Sequence, residues 1–142
     1  MKIAVLGYGT VGSGVVEVLD VNQKLIASRA KEEIEVKYVL DLRNFPGDKI
    51  QEKIVHDYEI ILNDPEIGIV VEVMGGVEPA NTFVRKALEA GKSVVTSNKA
   101  LVAKHGSALL KTAREKNVNF LFEASVGGGI PILRALGSSL TG

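Results

Sequence analysis

The fold of this chain is decided by its opening stretch, MKIAVLGYGTVG, which runs from Met1 to Gly12. Residues 3–6 are continuously apolar, which is typical of a strand buried on both faces of a sheet. The run breaks at Gly7, and Gly7, Gly9 and Gly12 then form the pattern G-x-G-x-x-G. A helical spacing of apolar residues follows directly, so the stretch predicts a strand, a glycine turn and a helix.

In this context the pattern G-x-G-x-x-G marks a dinucleotide-binding turn. Gly7 allows the tight turn, Gly9 lets the backbone approach a pyrophosphate, and Gly12 lets the helix pack on the strand. Thr10 and Val11 lie at the helix N-terminus, whose free N–H groups and positive dipole end favour phosphates. We therefore assign these five residues to cofactor binding; the alternative is a glycine turn that only packs well.

Composition limits the classes of function. The 142 residues are 46% hydrophobic and 24% charged, as expected of one globular domain. A net charge of zero argues against a nucleic-acid or anionic-membrane partner. There is no cysteine, and two histidines, His56 and His105, do not suggest a zinc site. With no membrane-length apolar run and no signal-peptide pattern, we expect a cytoplasmic protein.

Helical and strand patterns alternate along the chain. Helices are predicted at residues 10–29, 58–63, 78–91 and 98–117, the last with a break at His105-Gly106. Strands are predicted at residues 3–6, 34–42, 53–55, 67–74, 93–96 and 118–122. This alternation predicts an α/β fold: a Rossmann-type, doubly wound, mostly parallel six-stranded sheet with helices on both faces.

The end of the second strand bears on the choice of cofactor. An acidic residue there usually binds the adenine ribose hydroxyls, whereas an arginine accommodates a 2′-phosphate. This chain has both, as Asp41 and Arg43, and we assign both to cofactor binding. Asp41 as a turn former and Arg43 as a solvated charge are the alternatives. The sequence leaves the choice between NAD and NADP open.

Further candidates follow the fourth and fifth strands, because ligands of doubly wound sheets lie beyond the carboxyl ends of the strands. Gly75 and Gly76 would let the backbone lie against the nicotinamide-side ribose, or they form a simple turn. Ser97 and Lys99 follow the fifth strand. Cations are disfavoured near a helix N-terminus, and a lysine held there suits proton transfer. The alternative for Lys99 is an exposed lysine at a helix start.

Four motifs together resemble homoserine dehydrogenase: GYGTVG, VEVMGG, TSNKAL and FEASVGGGIPI. They occur in the family's order and span essentially the whole chain. The resemblance implies reversible, NAD(P)-dependent interconversion of L-homoserine and L-aspartate 4-semialdehyde, on the route to threonine, methionine and isoleucine. It also implies that Lys99, the lysine of the Asn-Lys motif, is catalytic and contacts the cofactor. Whether Lys99 acts as acid, base or positioner stays open.

The resemblance further implies a site for a monovalent cation such as sodium, in the glycine-rich stretch near the end of the chain. The implied ligands, mainly through backbone oxygens, are Glu123, Val126, Gly128 and Ile130. Oxygen ligands suit a hard cation. The alternative is that this stretch only forms a flexible link.

The resemblance also sets expectations for the domains. Residues 1–130 would form the NAD(P)-binding domain, and residues 131–142 the hinge to a substrate domain beyond Gly142. That domain would hold the substrate-binding carboxylates, a second lysine and most dimer contacts, so the full-length protein would be a homodimer. This chain would then bind the cofactor without turning over substrate. The alternatives are a stand-alone nucleotide-sensing module and another two-domain NAD(P) oxidoreductase.

Overall fold

The computed structural model describes residues 1–21 and 34–123. In this part of the chain six strands form one sheet in the order β3-β2-β1-β4-β5-β6, and every neighbouring pair is parallel. The strands are β1 (Lys2–Leu6), β2 (Glu35–Leu40), β3 (Ile54–Val55), β4 (Ile67–Glu72), β5 (Ser93–Thr96) and β6 (Phe120–Phe122). The order reverses between β1 and β4, which defines the ligand-binding crevice of a doubly wound sheet. The predicted fold class is confirmed.

Four α-helices lie in the described part of the chain. They are α1 (Thr10–Val21), α2 (Tyr58–Leu62), α3 (Ala80–Glu89) and α4 (Lys99–Glu115), with a 3-10 helix at Lys49–Lys53. Asp48, Asp57 and Asn98 accept N–H groups at the starts of the 3-10 helix, α2 and α4. Such caps each contribute about 1 kcal/mol.

Apolar residues cover both faces of the sheet. On one face, Val15 and Leu19 of α1 pack in a cluster with strand residues that include Val5. On the other face, residues of α2, α3 and α4 pack around Leu6 and Val70. These side chains are fully or almost fully buried, so the strand pattern of near-continuous apolar runs is explained by burial on both sides.

Several predicted boundaries differ from the structure. The break predicted at His105-Gly106 is wrong, because α4 is continuous from Lys99 to Glu115. Gly106 is buried, and a Cβ there would lie 3.2 Å from the Val102 side chain, so close packing rather than a break accounts for the glycine. β2 and β4 each end two residues earlier than predicted, and β6 begins two residues later. Residues 22–29 of the predicted first helix lie outside the described residues.

The 3-10 helix was not predicted, since residues 50–55 carry no clear periodicity. Among residues 1–21 and 34–123, no helix has both the length and the apolar character that crossing a bilayer requires.

Candidate functional site

The glycine turn after β1 has the geometry that its sequence predicts. Gly7 has a φ of 100°, a left-handed value that favours glycine, and its N–H donates to the Leu40 carbonyl at 2.8 Å. A Cβ on Gly12 would lie 2.0 Å from the Gly7 carbonyl oxygen, so only glycine fits at this contact of helix and strand. A Cβ on Gly9 would meet nothing within 4 Å. Gly9 is exposed and leaves room for a ligand against the backbone.

Thr10 and Val11 form the first turn of α1 beside this open space. Thr10 is exposed and Val11 is half-buried against the core. The N–H of Ser13 donates to the Gly9 carbonyl at 2.9 Å, so the helical hydrogen bonding begins directly after the turn. The N-terminus of α1 therefore points its dipole and its free N–H groups toward the open side of Gly9.

A cavity of about 520 Å³ opens from the turn along the carboxyl ends of β1, β2 and β4. Its volume is in the range of small-molecule sites. Leu42 is 90% exposed and forms part of its wall. The lining residues are Gly7, Tyr8, Gly9, Leu40, Asp41, Leu42, Arg43, His56, Tyr58, Val73, Met74, Pro79 and Phe83.

A second cavity, about 790 Å³, lies between α1 and the 3-10 helix and is lined in part by Glu17, Asp48 and Glu52. Three carboxylates there outnumber the two lysines of the lining, Lys49 and Lys53. Phosphates are repelled by carboxylates. The smaller cavity, which borders the glycine turn, is therefore the better candidate for a dinucleotide.

Asp41 lies at the end of β2 with every acceptor position of its carboxylate in use. Its Oδ2 accepts the Tyr8 N–H at 2.9 Å, and its Oδ1 accepts the Arg43 N–H at 2.9 Å. The Arg43 guanidinium donates to both oxygens, at 3.0 Å each. A carboxylate has about four acceptor positions. Another donor therefore displaces one of these.

The contact between Asp41 and Arg43 favours the charged form of both side chains. Hydrogen bonding from the Arg43 side chain lowers the pKa of Asp41 to about 2, with further support from the Arg43 and Tyr8 N–H groups and opposition from burial. The same contact raises the pKa of Arg43. The Asp41 side chain is 9% exposed and that of Arg43 is 62% exposed. A ligand that enters from solvent therefore meets the guanidinium first.

His56 holds the loop that carries Asp41 and Arg43. The sequence did not predict this role for His56. Its Nδ1 lies 2.7 Å from the Asp41 carbonyl oxygen, and its Nε2 lies 2.9 Å from Asn44 Oδ1. Tyr8 and Phe45 pack edge to face at 4.9 Å, and Arg43 lies 5.1 Å from the Phe45 ring centre. The loop after β2 is thus attached to the glycine turn at Tyr8 by an aromatic contact and by hydrogen bonds.

On the other side of the switch point, Gly75 and Gly76 follow β4. Both are exposed and have left-handed φ values of 78° and 75°, so this turn requires glycine twice. A Cβ on Gly75 would meet nothing within 4 Å. The Asn98 side-chain amide donates to the Gly76 carbonyl at 2.6 Å. The turn is therefore held against the start of α4 while its outer side stays open.

Ser97 and Lys99 lie at the carboxyl end of β5, as predicted. The Ser97 N–H donates to the Glu72 carbonyl at 3.3 Å, and Ser97 is half-buried. Lys99 is the first residue of α4 and is exposed. It forms no ion pair with the residues that the structure describes. Neighbouring strands thus bring both residues to the edge of the sheet that also carries the glycine turn.

Of the four implied cation ligands, only Glu123 lies in the described part of the chain. Its N–H donates to the Thr96 carbonyl at 2.9 Å and so continues the pairing of β6 with β5. Val126, Gly128 and Ile130 lie outside the described residues, as does the predicted hinge at 131–142. Within residues 1–21 and 34–123, no three histidine or carboxylate side chains come close enough to hold a metal ion.

Glu72 is a site residue that the sequence reasoning missed. It is the last residue of β4 and is 0% exposed. Its carboxylate accepts from the Thr96 hydroxyl at 2.6 Å and from the Met74 N–H at 2.8 Å. The signal for it is a glutamate inside the otherwise apolar run of residues 67–74.

The fold and these strand ends define a dinucleotide-binding domain of the Rossmann class. A family model described as "Homoserine dehydrogenase, NAD binding domain" matches residues 7–123. The chain belongs to this family.

Relatives and solved structures agree with this assignment. The chain is 42% identical to homoserine dehydrogenase of Lactococcus lactis over 99% of its length, and 44% identical to that of Pseudomonas aeruginosa over 99%. It covers 34% and 33% of these two proteins, so it spans about a third of the length of the relatives it matches.

Among solved structures, a homoserine dehydrogenase from Thiobacillus denitrificans matches 96% of this chain with a TM-score of 0.81 and 42% identity, over 32% of its own length. A hyperthermophilic archaeal homoserine dehydrogenase in complex with NADPH matches 96% of this chain with a TM-score of 0.71 and 25% identity, over 48% of its own length.

Proposed function

We propose that this chain is the cofactor-binding part of a homoserine dehydrogenase, which interconverts L-homoserine and L-aspartate 4-semialdehyde with NAD or NADP. The observation that carries the proposal is the glycine turn, whose open side at Gly9 faces a cavity of about 520 Å³. Gly12 supports the same use. Because it has no Cβ, α1 can approach the Gly7 carbonyl closely, and this contact places the helix N-terminus next to that space. The residues present therefore fit a dinucleotide.

The switch point divides the cofactor between two halves of the sheet. The pyrophosphate would lie on the turn after β1, and the adenosine ribose would reach the end of β2 at Asp41. The nicotinamide half would then lie over the carboxyl ends of β4 and β5, beside Gly75, Gly76, Ser97 and Lys99. The exposed glycines there leave the backbone accessible to the second ribose.

Arg43 bears on the choice of cofactor. Ribose hydroxyls can reach Asp41 only by displacing a hydrogen bond of Arg43 or of the Tyr8 N–H, whereas a 2′-phosphate would meet the exposed guanidinium directly. Arginine matches phosphate geometry with two parallel N–H donors. We therefore propose that both cofactors bind and that Arg43 favours NADP.

The bound nicotinamide supplies a hydride acceptor at one carbon atom. The part of this chain in the reaction is to bind and orient the ring and to bring an ammonium group beside it. Lys99, at the start of α4, is the side chain placed to stabilise negative charge on the substrate oxygen or to exchange its proton. The homoserine-binding carboxylates, a second lysine, most dimer contacts and the sodium site with its implied ligands remain proposals by family resemblance.

A thermal-shift titration of this chain with NADH and with NADPH tests cofactor binding. A ligand that binds only the folded state adds about 2.7 kcal/mol at a hundredfold excess over Kd, so both should raise the Tm. The comparison variant is Gly9→Val, whose Cβ would meet nothing within 4 Å and whose methyl groups would enter the space proposed for the pyrophosphate. We expect this variant to keep its Tm without ligand and to lose the shift. An unchanged shift would contradict the proposed position of the pyrophosphate.

The role of Lys99 is tested by measuring turnover in the full-length protein that contains this chain. Lys99→Ala should lower kcat for homoserine oxidation by at least about a hundredfold, the usual range for a positioned acid or base. Lys104→Ala on the same helix is the control, because Lys104 is exposed and lies five residues further from the strand end. Turnover by Lys99→Ala close to that of the wild type would remove Lys99 from the mechanism.

A further inference from the structure

The end of β4 carries a buried carboxylate that the proposed chemistry does not use. Glu72 is 0% exposed and sits in the centre of the sheet, paired in register with Leu6 of β1 and Thr96 of β5. No described residue forms an ion pair with it. Burying a carboxylate is unfavourable unless donors replace its water, and an apolar residue at such a position is usually as stable or more stable. Stability of the core therefore does not explain Glu72.

Donors from two separate loops replace that water. Oε1 accepts from the Thr96 hydroxyl at 2.6 Å, and Oε2 accepts from the Met74 N–H at 2.8 Å and from Asn98 Nδ2 at 3.4 Å. Met74 leads into the turn at Gly75 and Gly76. Thr96 and Asn98 lead into α4. One side chain thus bridges the two segments that follow β4 and β5.

Asn98 extends this bridge to the proposed site. Its amide donates to the Gly76 carbonyl at 2.6 Å, and its Oδ1 accepts the Leu101 N–H at 3.0 Å as the cap of α4. Its own N–H donates to the Thr96 hydroxyl at 3.0 Å. Because Asn98 Nδ2 faces both Glu72 and Gly76, Asn98 Oδ1 points toward the first turn of α4 and can cap it. The shortest contacts of the Asn98 side chain are thus with Gly76 and Leu101. Glu72 supports this orientation through the Thr96 hydroxyl and through a longer contact of 3.4 Å with Asn98 Nδ2.

We propose that Glu72 is a positioning residue for the nicotinamide half of the cofactor. It acts through Thr96 and Asn98 to hold the Gly75-Gly76 turn and the start of α4 at a fixed separation. The inference rests on the proposed function, since it requires that a dinucleotide lie across the switch point. It goes further by predicting that the two halves of the site depend on different supports. The adenosine half depends on the Asp41 loop, and the nicotinamide half depends on Glu72.

NADH and ADP separate these halves, since ADP contains the adenosine and the pyrophosphate but neither the second ribose nor the nicotinamide. The variants are Glu72→Leu, which removes the acceptor, and Glu72→Gln, which keeps an acceptor oxygen of the same shape. Glu89→Gln, an exposed carboxylate of α3, is the control. The affinity of both probes is measured by calorimetry. The fluorescence of bound NADH reports the surroundings of the nicotinamide.

We expect Glu72→Leu to weaken NADH binding about tenfold and ADP binding less than about twofold, with the NADH fluorescence closer to that of the free cofactor. Glu72→Gln should recover most of the NADH affinity. An equal loss for both probes would indicate a purely structural role and overturn the proposal, as would unchanged NADH binding.

Two further results complete the test. Should Glu72→Leu fail to fold, Thr96→Val, which is similar in size, replaces it and should show the same selective loss, since it removes the hydroxyl that joins Glu72 to Asn98. Absence of that selectivity would also overturn the proposal. Wild-type protein that binds neither probe would refute the proposed function, whereas wild-type binding of both with no selective loss refutes this inference alone.

Discussion

The two sides of the crevice are built from different interactions. On the β2 side, Asp41 and Arg43 form an ion pair whose arginine is 62% exposed. On the β4 side, Glu72, Thr96 and Asn98 form a hydrogen-bonded group that is almost fully buried. Exposed ion pairs contribute little to stability, whereas a buried polar group becomes costly once a partner is removed. The β2 side is therefore suited to discriminate between ligands, and the β4 side to hold a fixed geometry.

The largest effect is expected at the turn that both sides share. Gly12→Ala would place a Cβ 2.0 Å from the Gly7 carbonyl oxygen, and backbone atoms cannot move away as a flexible side chain does. The free energy of unfolding should fall by about 3 kcal/mol or more. Urea denaturation measures it. Gly47→Ala is unsuitable as a control because Gly47 has a φ of 84°, whereas Gly9→Ala is suitable and should change stability by less than about 1 kcal/mol.

The next effect is on the buried side. Asn98→Ala removes the cap of α4, at about 1 kcal/mol, and leaves Glu72 and the Gly76 carbonyl each short of a donor. Glu72 keeps the Thr96 and Met74 donors, so the loss beyond the cap is that of an ordinary hydrogen bond, about 0.5–1.5 kcal/mol, and the unfolding free energy should fall by about 2 kcal/mol in total. Asp57→Ala, which removes the cap of α2 alone, is the matched control and should cost about 1 kcal/mol. Equal losses would mean that the buried group adds nothing beyond a cap.

Arg43→Ala on the exposed side should change stability by less than about 1 kcal/mol. It frees acceptor positions on Asp41 and removes the donor for a 2′-phosphate. The ratio of the NADPH and NADH dissociation constants should therefore shift toward NADH by about tenfold, as loss of a charge-assisted contact predicts. Calorimetric titration measures the ratio. Arg85→Ala on α3 is the control, and an unchanged ratio in Arg43→Ala would show that Arg43 is only a solvated charge.

The smallest expected effect is the dependence of stability on pH through Asp41. The pKa of Asp41 lies at about 2 in the folded protein, below its ordinary value, so the ionised carboxylate stabilises the folded state above about pH 4. This contribution is lost as the pH falls toward 2, and at an exposed pair it amounts to less than about 1 kcal/mol. Thermal unfolding between pH 2 and pH 6 should therefore show the Asp41→Asn variant converging on the wild type at low pH.

Asp64 provides the comparison for this measurement. Hydrogen bonding from Lys37 lowers its pKa to about 2 as well, and it precedes β4 at the opposite end of the strands. Asp64→Asn should converge in the same pH window. Only Asp41→Asn should also change NADH affinity at neutral pH. An equal change in both variants would contradict the proposed contact between Asp41 and the ribose.

The parts of the fold that were predictable from the sequence depend on local patterns. The glycine pattern predicts the turn of Gly7, Gly9 and Gly12, and the apolar runs predict buried strands. Each pattern depends only on local sequence, and together they predict the observed sheet. The break predicted at Gly106 was wrong because its cause is the Val102 side chain, and a pattern of residue types does not distinguish a glycine that breaks a helix from one that fits a close contact.

The candidate site residues at the strand ends were predictable from the sequence. The side-chain contacts that hold these strand ends in place were not. Asp41, Arg43, Gly75, Gly76 and Lys99 all lie at carboxyl ends of strands, as the fold class requires, whereas their contacts with a ligand stay predictions. The bridge from Glu72 to Asn98 joins residues 26 apart, and the contact of His56 with the Asp41 carbonyl joins residues 15 apart. Such pairs arise from strand order and register, which one sequence does not specify at the level of side chains.

The exposure of Leu42 has a consequence for calorimetry. An apolar side chain that is 90% exposed beside the cavity is hydrated in the free protein. An adenine ring seated in that cavity would remove water from it, and such removal carries a negative change in heat capacity. The enthalpy of nucleotide binding should therefore become more favourable as the temperature rises, and replacing Leu42 with serine should flatten that slope.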